Sequence, residues 1–476
     1  MSALEFGRPK RSFVPGRGVI YFLLAAMVMA GGYFAVPRFE WHKPQIKITP
    51  DSETLGLGPL QIEITEQGSG LNSFSAVLNS GGKDYPLASE QYSELVLQKK
   101  FTVALSAKLE GLKEGPAVLR IAARDNSWWN FFRGNQTLVE KNLTIDITPP
   151  TLEIIADDRY VNFGGVGMIV YKPSADTVTS GIKIGKYFFP GYKGQIKSQP
   201  DHYIAFFAHA YNVGEDERAM LVATDKAGNS KEMQLAYTLK NVKYKKSTIQ
   251  ISEDFLRNKV TPLVSDVGAR QGAPKDIFVK VNKALRKENE DKIKAITEKS
   301  TAAKLWDGAF HQLTNSKVEA NFADARTYVY KEEEIDQAYH LGYDLSVTKH
   351  YPVEASNHGT VAFVGDLGIY GNTVIIDHGL GLFTLYSHLS SIDVKVGDQI
   401  KQEQPIGKTG ETGLAGGDHL HFGVYLHGVA ILPVEWWDQK WIRDNVQPKF
   451  DGQTSETIAE AGDSKATRKP ARKRRR

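Results

Sequence analysis

The chain has 476 residues, 41% of them hydrophobic and 24% charged, which suits a multidomain globular protein and excludes both a disordered chain and a polytopic membrane protein. It has no cysteine, so a disulfide framework, a thiolate metal site and a cysteine nucleophile are excluded together. The net charge of +4 sums unlike parts: residues 465–476 carry eight Lys/Arg and no acid, residues 1–17 carry +3, and the body between is −7, a poor surface for nucleic acid.

Residues 1–17 read as a basic cytoplasmic segment. Gly18 to Val36 is 19 residues without a charge, about 28 Å long as a helix and enough for a hydrocarbon core. Residues 18–36 therefore predict an uncleaved single transmembrane helix. The basic flank stays inside, and the rest stands on the periplasmic or extracellular side of the cytoplasmic (inner) membrane. A cleaved signal peptide fits less well, because its apolar region is shorter and Val36-Pro37-Arg38 is a poor cleavage context.

Short alternating strands follow. Gln61 to Thr65, Thr144 to Ile147 and Thr248 to Ile251 each alternate polar and apolar residues, with Gly, Asn, Asp and Pro clusters between the runs. Ser69-Gly70-Leu71 recurs as Ser180-Gly181-Ile182, the runs ending at Asp125 and Asp225 match loosely, and the two closing strands lie 104 residues apart. A period near 100 predicts two β-sandwich repeats, 45–148 and 149–251, joined at Thr148-Pro149-Pro150. They resemble bacterial immunoglobulin-like domains, most clearly at the Asp225–Asn229 turn. A spacer role is the simpler expectation and a ligand-binding module the alternative. Trp128, Trp129, Phe131 and Phe132 form an aromatic cluster, expected to pack inside or between domains rather than to form a sugar or partner surface.

Residues 252–315 predict a helical linker, mostly helical over 253–310. Ile277, Phe278, Val281, Ala284 and Leu285 share one helix face, and Ile293 and Ile296 continue it. Such a segment either packs on a neighbour or covers the active site.

Eight of the twelve histidines lie between 340 and 427. His419-Leu420-His421 on a strand sends two imidazoles to one face and Leu420 to the other. His340 and Asp344, four apart around Gly342, add a second pair on extended chain. A His₂Asp set gives zinc three N/O ligands and leaves a position open for water, as in catalytic sites. No HExxH supplies a glutamate base, so the base must be another residue, with His388 and His419 available.

Three motifs in this order, His340…Asp344, Tyr386-Ser387-His388 and His419…His421, resemble the lysostaphin/LytM-type zinc metallopeptidase family of peptidoglycan endopeptidases. Gly371 to Gly379 and Val394 to Ile400 also read as this family, and the resemblance covers roughly 320–445. It implies a mainly antiparallel β domain over 316–450 that holds one Zn2+ ion through His340, Asp344 and His421. It makes His388 and His419 the catalytic histidines, acting on zinc-activated water, and peptidoglycan cross-links the substrate. Asn372 and Tyr386 are candidate substrate-binding residues. One departure stands out: many family members carry Ser-Thr-Gly-Pro where this chain has Ala415-Gly416-Gly417-Asp418, which bears on substrate preference rather than metal binding. A non-enzymatic activator or scaffold for other cell-wall enzymes is the alternative reading. Residues 451–476 predict a disordered basic tail suited to anionic polymer or lipid headgroups.

Overall fold

The computed structural model describes residues 16–35, 38–104, 109, 111–264 and 272–459. Most of the basic N-terminal segment and the basic tail from 460 onward lie outside the described residues. The chain is β-rich and divides into two compact units, 1–149 with 225–229, and 150–224 with 230–476.

A helix forms at Arg17–Ala35, where the apolar run predicts one. Among the described residues, however, no helix is long and apolar enough to cross a membrane. The expected membrane span through 18–36 is therefore not among the features that the described residues show.

In the first unit a three-stranded antiparallel sheet (Gln45–Thr49, Pro59–Thr65, Gln98–Ala104) faces a five-stranded sheet built on Gln136–Ile145, Gly115–Asp125, Leu71–Ser80 and Lys83–Gln91. The period-two pattern explains the layers. Ile62 and Ile64 are fully buried against Phe74, Leu78, Leu119 and Ile121, while the residues between them are at least partly exposed. Each such aliphatic side chain contributes about 1.5–3 kcal/mol on burial. The aromatic cluster departs from the packing expectation. Phe131 and Phe132 are 92% and 71% exposed, and only Trp128 is tucked in, edge-on to Phe39 at 5.5 Å.

The second unit opens with two four-stranded sheets. One contains Tyr203–Ala208 and Val166–Pro173, the other Thr177–Ile184 and Met220–Asp225. This repeat is no detached spacer. Its Phe206 meets Trp436 at 6.0 Å, and one continuous core runs from Ile204 and Phe206 through Trp306 and Trp436 to Ile376 and Val424. Buried polar contacts join the same two regions. Glu435 accepts from Asn162 Nδ2 (2.7 Å) and the Val166 amide (2.9 Å), and Lys449 pairs with Asp158. The strand expected to close the repeat does something else. Lys246–Gln250 pairs in parallel with Ala325–Tyr330, which continues antiparallel into Glu333–Tyr339. Alternation marks a half-buried strand but does not name its partner.

Among the described residues of the predicted linker, helix forms at Glu253–Leu263 and Pro274–Thr297, each with a π-helical turn, at Leu256–Val260 and Val281–Leu285. Residues 298–316 are irregular, correcting the expected helix to 310. They are pinned where Ser300 Oγ and Thr301 Oγ1 donate to Asp377, and they bury Trp306 and Phe310. Most of the predicted helix face is buried, with Ile277, Phe278 and Val281 packed beside Tyr328, Leu341, Ile369 and Tyr370, but Ala284 is exposed where the π-helical turn Val281–Leu285 shifts the register.

The site rests on an antiparallel sheet ordered Lys317–Ala320, Tyr343–Ser346, Leu420–Leu426, Leu382–Ser387, Asn372–Asp377, Gly359–Asp366, Gln399–Ile400, with Val429–Ile431 on Leu420–Leu426. Both faces are covered, so Val374-Ile375-Ile376 and all of Leu420–Leu426 are buried, His421 included.

Candidate metal centre

Sheet register assembles the site. His421 lies directly opposite Asp344 on one side and Ser387 on the other. Residues directly opposite share a face, so Asp344 and His421 meet without help from any loop. His340 enters just after Glu333–Tyr339, its backbone tied to Asp324 and Ala323. Gly342 leaves room for the second histidine, because a Cβ there would stand 2.5 Å from Phe422 O and 2.7 Å from the His421 ring. His388 follows the strand Leu382–Ser387 with φ +62°, a left-handed conformation that turns its ring toward the others.

Three atoms converge. His340 Nε2 is 2.9 Å from Asp344 Oδ1 and 2.9 Å from His421 Nδ1, and His421 Nδ1 is 3.0 Å from Asp344 Oδ1. Ligands about 2.0–2.1 Å from a tetrahedral zinc stand about 3.3 Å apart, close to this triangle. The proton inventory also fits a cation. His340 Nδ1 lies 2.9 Å from the Asn321 carbonyl and donates to it, leaving a lone pair on Nε2. The centre is thus a lone pair, a carboxylate oxygen and a second imidazole nitrogen, with no backbone or lysine donor between them. His421 Nε2 is buried without a hydrogen-bond partner, so its ring offers Nδ1 alone to this centre. His340, Asp344 and His421 are accordingly the residues here that could hold zinc.

The remaining two histidines flank this triangle. His388 Nδ1 donates to Thr412 O and His419 Nδ1 to Gly417 O, each at 2.8 Å, so both present Nε2 to the cavity. Their rings are 4.8 Å apart, and His419 Nε2 is 3.5 Å from Asp344 Oδ1. Burial, reinforced by His419 and His421, holds His388 well below the usual imidazole range. Burial pulls His419 the same way, but the nearby Asp344 carboxylate outweighs this and raises it. Burial opposes ionisation of Asp344 as well, yet the surrounding histidines keep its carboxyl well below the ordinary range.

Sequence reasoning missed Arg326. Its Nη2 donates to the outer oxygen of Asp344 at 2.9 Å, and Asp324, itself bonded by Ser247 Oγ, lies behind it. An arginine in an alternating strand reads as a solvent-face residue, so no motif signals it. Asn372 and Tyr386 do not line the cavity. Tyr386 pairs with Phe422, on the face away from His421, and its hydroxyl accepts from Ser356 N and Thr384 Oγ1. Asn372 braces the loop carrying His388 through Leu389 O and Thr412 Oγ1. Asp418 turns away from the site to accept from Thr409 Oγ1 and His350 N, while Gly417 supplies the carbonyl that orients His419. His378 is a buried histidine satisfied by His358 O and Thr384 Oγ1.

The five residues His340, Asp344, His388, His419 and His421 open on a cavity of about 210 Å³. Its other wall includes Phe255, Phe278 and Arg286 from the helical segment, so that segment lies over the site.

Residues 338–433, which contain all five, match the pattern of Peptidase family M23. Over 95 residues the chain is 39% identical to the DD-carboxypeptidase/endopeptidase Mpg of Neisseria meningitidis serogroup B, covering 20% of this chain and 22% of that protein. Over 89 residues it is 38% identical to the peptidoglycan DD-endopeptidase ShyA of Vibrio cholerae, covering 19% and 21%. The chain thus spans about a fifth of the length of these relatives. The catalytic domain of lysostaphin from Staphylococcus simulans is 28% identical, over 28% of this chain and 98% of that one, with a TM-score of 0.24.

Proposed function

We propose that the Peptidase family M23 domain formed by residues 338–433 makes this chain a zinc metalloendopeptidase that hydrolyses the peptide cross-links of bacterial peptidoglycan. The observation that carries the reading is the convergence of His340 Nε2, Asp344 Oδ1 and His421 Nδ1 within 3.0 Å, beside two further imidazoles. The printed activities of the Neisseria and Vibrio relatives support the substrate class.

Zinc, when bound, supplies a Lewis acid and brings the pKa of water toward 7. The chain's own residues do the rest. Arg326 holds the outer oxygen of Asp344 so that Oδ1 faces the centre. His388, with its Nδ1 proton committed to Thr412 O, offers Nε2 to take a proton from water. His419, anchored through Gly417 O, stands within reach of the same space to stabilise the oxyanion and return a proton to the leaving amine.

The cavity is smaller than the roughly 300–1,000 Å³ of ligand-filled pockets. The segment carrying Phe255, Phe278 and Arg286 forms one wall of this cavity, so its displacement would widen the way for a cross-link peptide. Export beyond the cytoplasmic membrane belongs to this reading, supported by the location of the substrate and the basic-then-apolar N-terminus. So does retention on anionic wall polymer or lipid by residues 465–476, which deletion of those residues should abolish at low salt.

The test is digestion of purified peptidoglycan by the full chain, with mass spectrometry of the released muropeptides. Chelator-sensitive loss of cross-linked dimers is expected. Intact dimers from a zinc-loaded chain whose helical segment has been loosened would defeat the proposal.

A further inference from the structure

A second cluster of metal-type donors lies in the first unit, far in sequence from the histidines. Glu40 precedes the strand Gln45–Thr49, Glu66 follows Pro59–Thr65, and Asp125 ends Gly115–Asp125. One carboxylate oxygen of each lies within 4.8 Å of the others. Like charges this close repel, and among the described residues no lysine or arginine is paired with any of the three.

Each carboxylate is held in place. Asp125 accepts from the amides of Ser127 (3.0 Å) and Asn135 (2.7 Å) and from Asn135 Nδ2 (2.9 Å). Glu40 Oε1 accepts from the Ser69 amide at 2.5 Å. Gly68 keeps the space that admits Glu40, since a Cβ there would fall 1.8 Å from Glu40 Oε2. Glu66 Oε1 accepts from the Gln67 and Gly68 amides.

The telling atom is the other oxygen of Glu66. Glu66 is 5% exposed, yet its Oε2 is buried with no hydrogen-bond partner. The hydroxyl oxygen of nearby Ser69 is likewise buried and unpartnered. Buried carboxylate oxygens are normally satisfied, so an orphan among two further carboxylates marks the place of a missing positive partner.

We propose that Glu40, Glu66 and Asp125, with the Ser69 hydroxyl, form a calcium site in the first unit. The donor set is all oxygen, which suits a hard cation and not a second zinc. Calcium takes six to eight oxygens at about 2.3–2.6 Å in flexible geometry, so water completes the shell, whereas magnesium requires a near-ideal octahedron. The bound ion ties the segment carrying Glu40 to the ends of two strands from opposite sheets, and so stiffens the start of the β region.

The experiment is calcium uptake by the full chain, by equilibrium dialysis against CaCl₂ after EGTA treatment, with thermal melting in parallel. One saturable calcium per chain is expected, with an affinity in the range of about 10⁻⁴–10⁻³ M typical of extracellular modules. E66Q should weaken it at least tenfold and E40Q likewise, while H421A leaves it unchanged. In EGTA, E66Q should melt no lower than the parent, because it relieves carboxylate crowding, and should lose the calcium-induced rise. No saturable uptake up to about 10 mM, or uptake undiminished in both E66Q and E40Q, would overturn the assignment.

Discussion

Replacing Lys449 by methionine tests whether the second β repeat and the peptidase domain are one body. Lys449 Nζ lies 2.5 Å from Asp158 Oδ1 and also donates to Asn445 O, and the two side chains are only 2% and 8% exposed. Asp158 Oδ2 accepts from the Met168 amide. Burial already holds the Asp158 carboxyl above its ordinary range despite Lys449. Without the ammonium, the buried carboxyl takes a proton rather than remain an unpaired anion. From the ordinary value of 3.8, that protonation costs at most about 4.4 kcal/mol at pH 7 and about 1.6 kcal/mol at pH 5, at about 1.36 kcal/mol per unit, and the parent already bears the part set by its own raised carboxyl. K449M should therefore lower the melting temperature by up to roughly 10 °C at pH 7 and far less at pH 5. D158N/K449M, which removes both charges, should recover most of the loss. Thermal unfolding of the full chain at the two pH values decides it. A loss below about 1 kcal/mol at pH 7, or an equal loss at both pH values, would refute the reasoning.

H421A should lose zinc and activity together, whereas H388A should keep zinc and lose about 10²–10⁴-fold in rate, as metal analysis beside turnover would show. R326M frees the outer oxygen of Asp344 and should weaken zinc about 10–100-fold in a chelator competition, with folding intact. Glu435 is pushed up to about 8 by burial, so its proton is bound more tightly folded than unfolded. Its contribution is fully present below about pH 4.5 and is lost as pH rises through 8, by at most about 5 kcal/mol. E435Q should flatten that slope in melts across this range. F278A removes a fully buried ring that meets Tyr328 at 5.0 Å, which loosens the segment over the cavity by about 3–5 kcal/mol. Peptidoglycan cleavage should rise with zinc content unchanged, and slower cleavage at equal zinc would argue against that segment as the barrier.

The zinc-type site was legible in the sequence because its geometry is strand geometry. Two-residue spacing put His419 and His421 on one face, whereas the pairing of Asp344 opposite His421 came only with the sheet register. The polar–apolar alternation at 61–65 foretold the burial of Ile62 and Ile64 in the same way. What stayed hidden depends on which surfaces meet. Nothing in Lys246–Gln250 names Ala325–Tyr330 as its partner, and nothing in Asp158 or Glu435 marks their carboxylates as buried. Tyr386 could be read as cleft wall or core until its pairing with Phe422 fixed its face. The exposure of Phe131 and Phe132 likewise reverses a rule of thumb, because apolar residues favour burial only where the fold brings a surface to cover them.

The most direct test of the account is cleavage of a purified cross-linked muropeptide dimer by the metal-stripped full chain carrying F278A, titrated with zinc. The account predicts no cleavage without metal, then activity rising in proportion to zinc and levelling at one ion per chain, with no rise in the same chain carrying H421A. Cleavage independent of zinc, or a zinc-saturated chain that leaves the dimer whole, would contradict it.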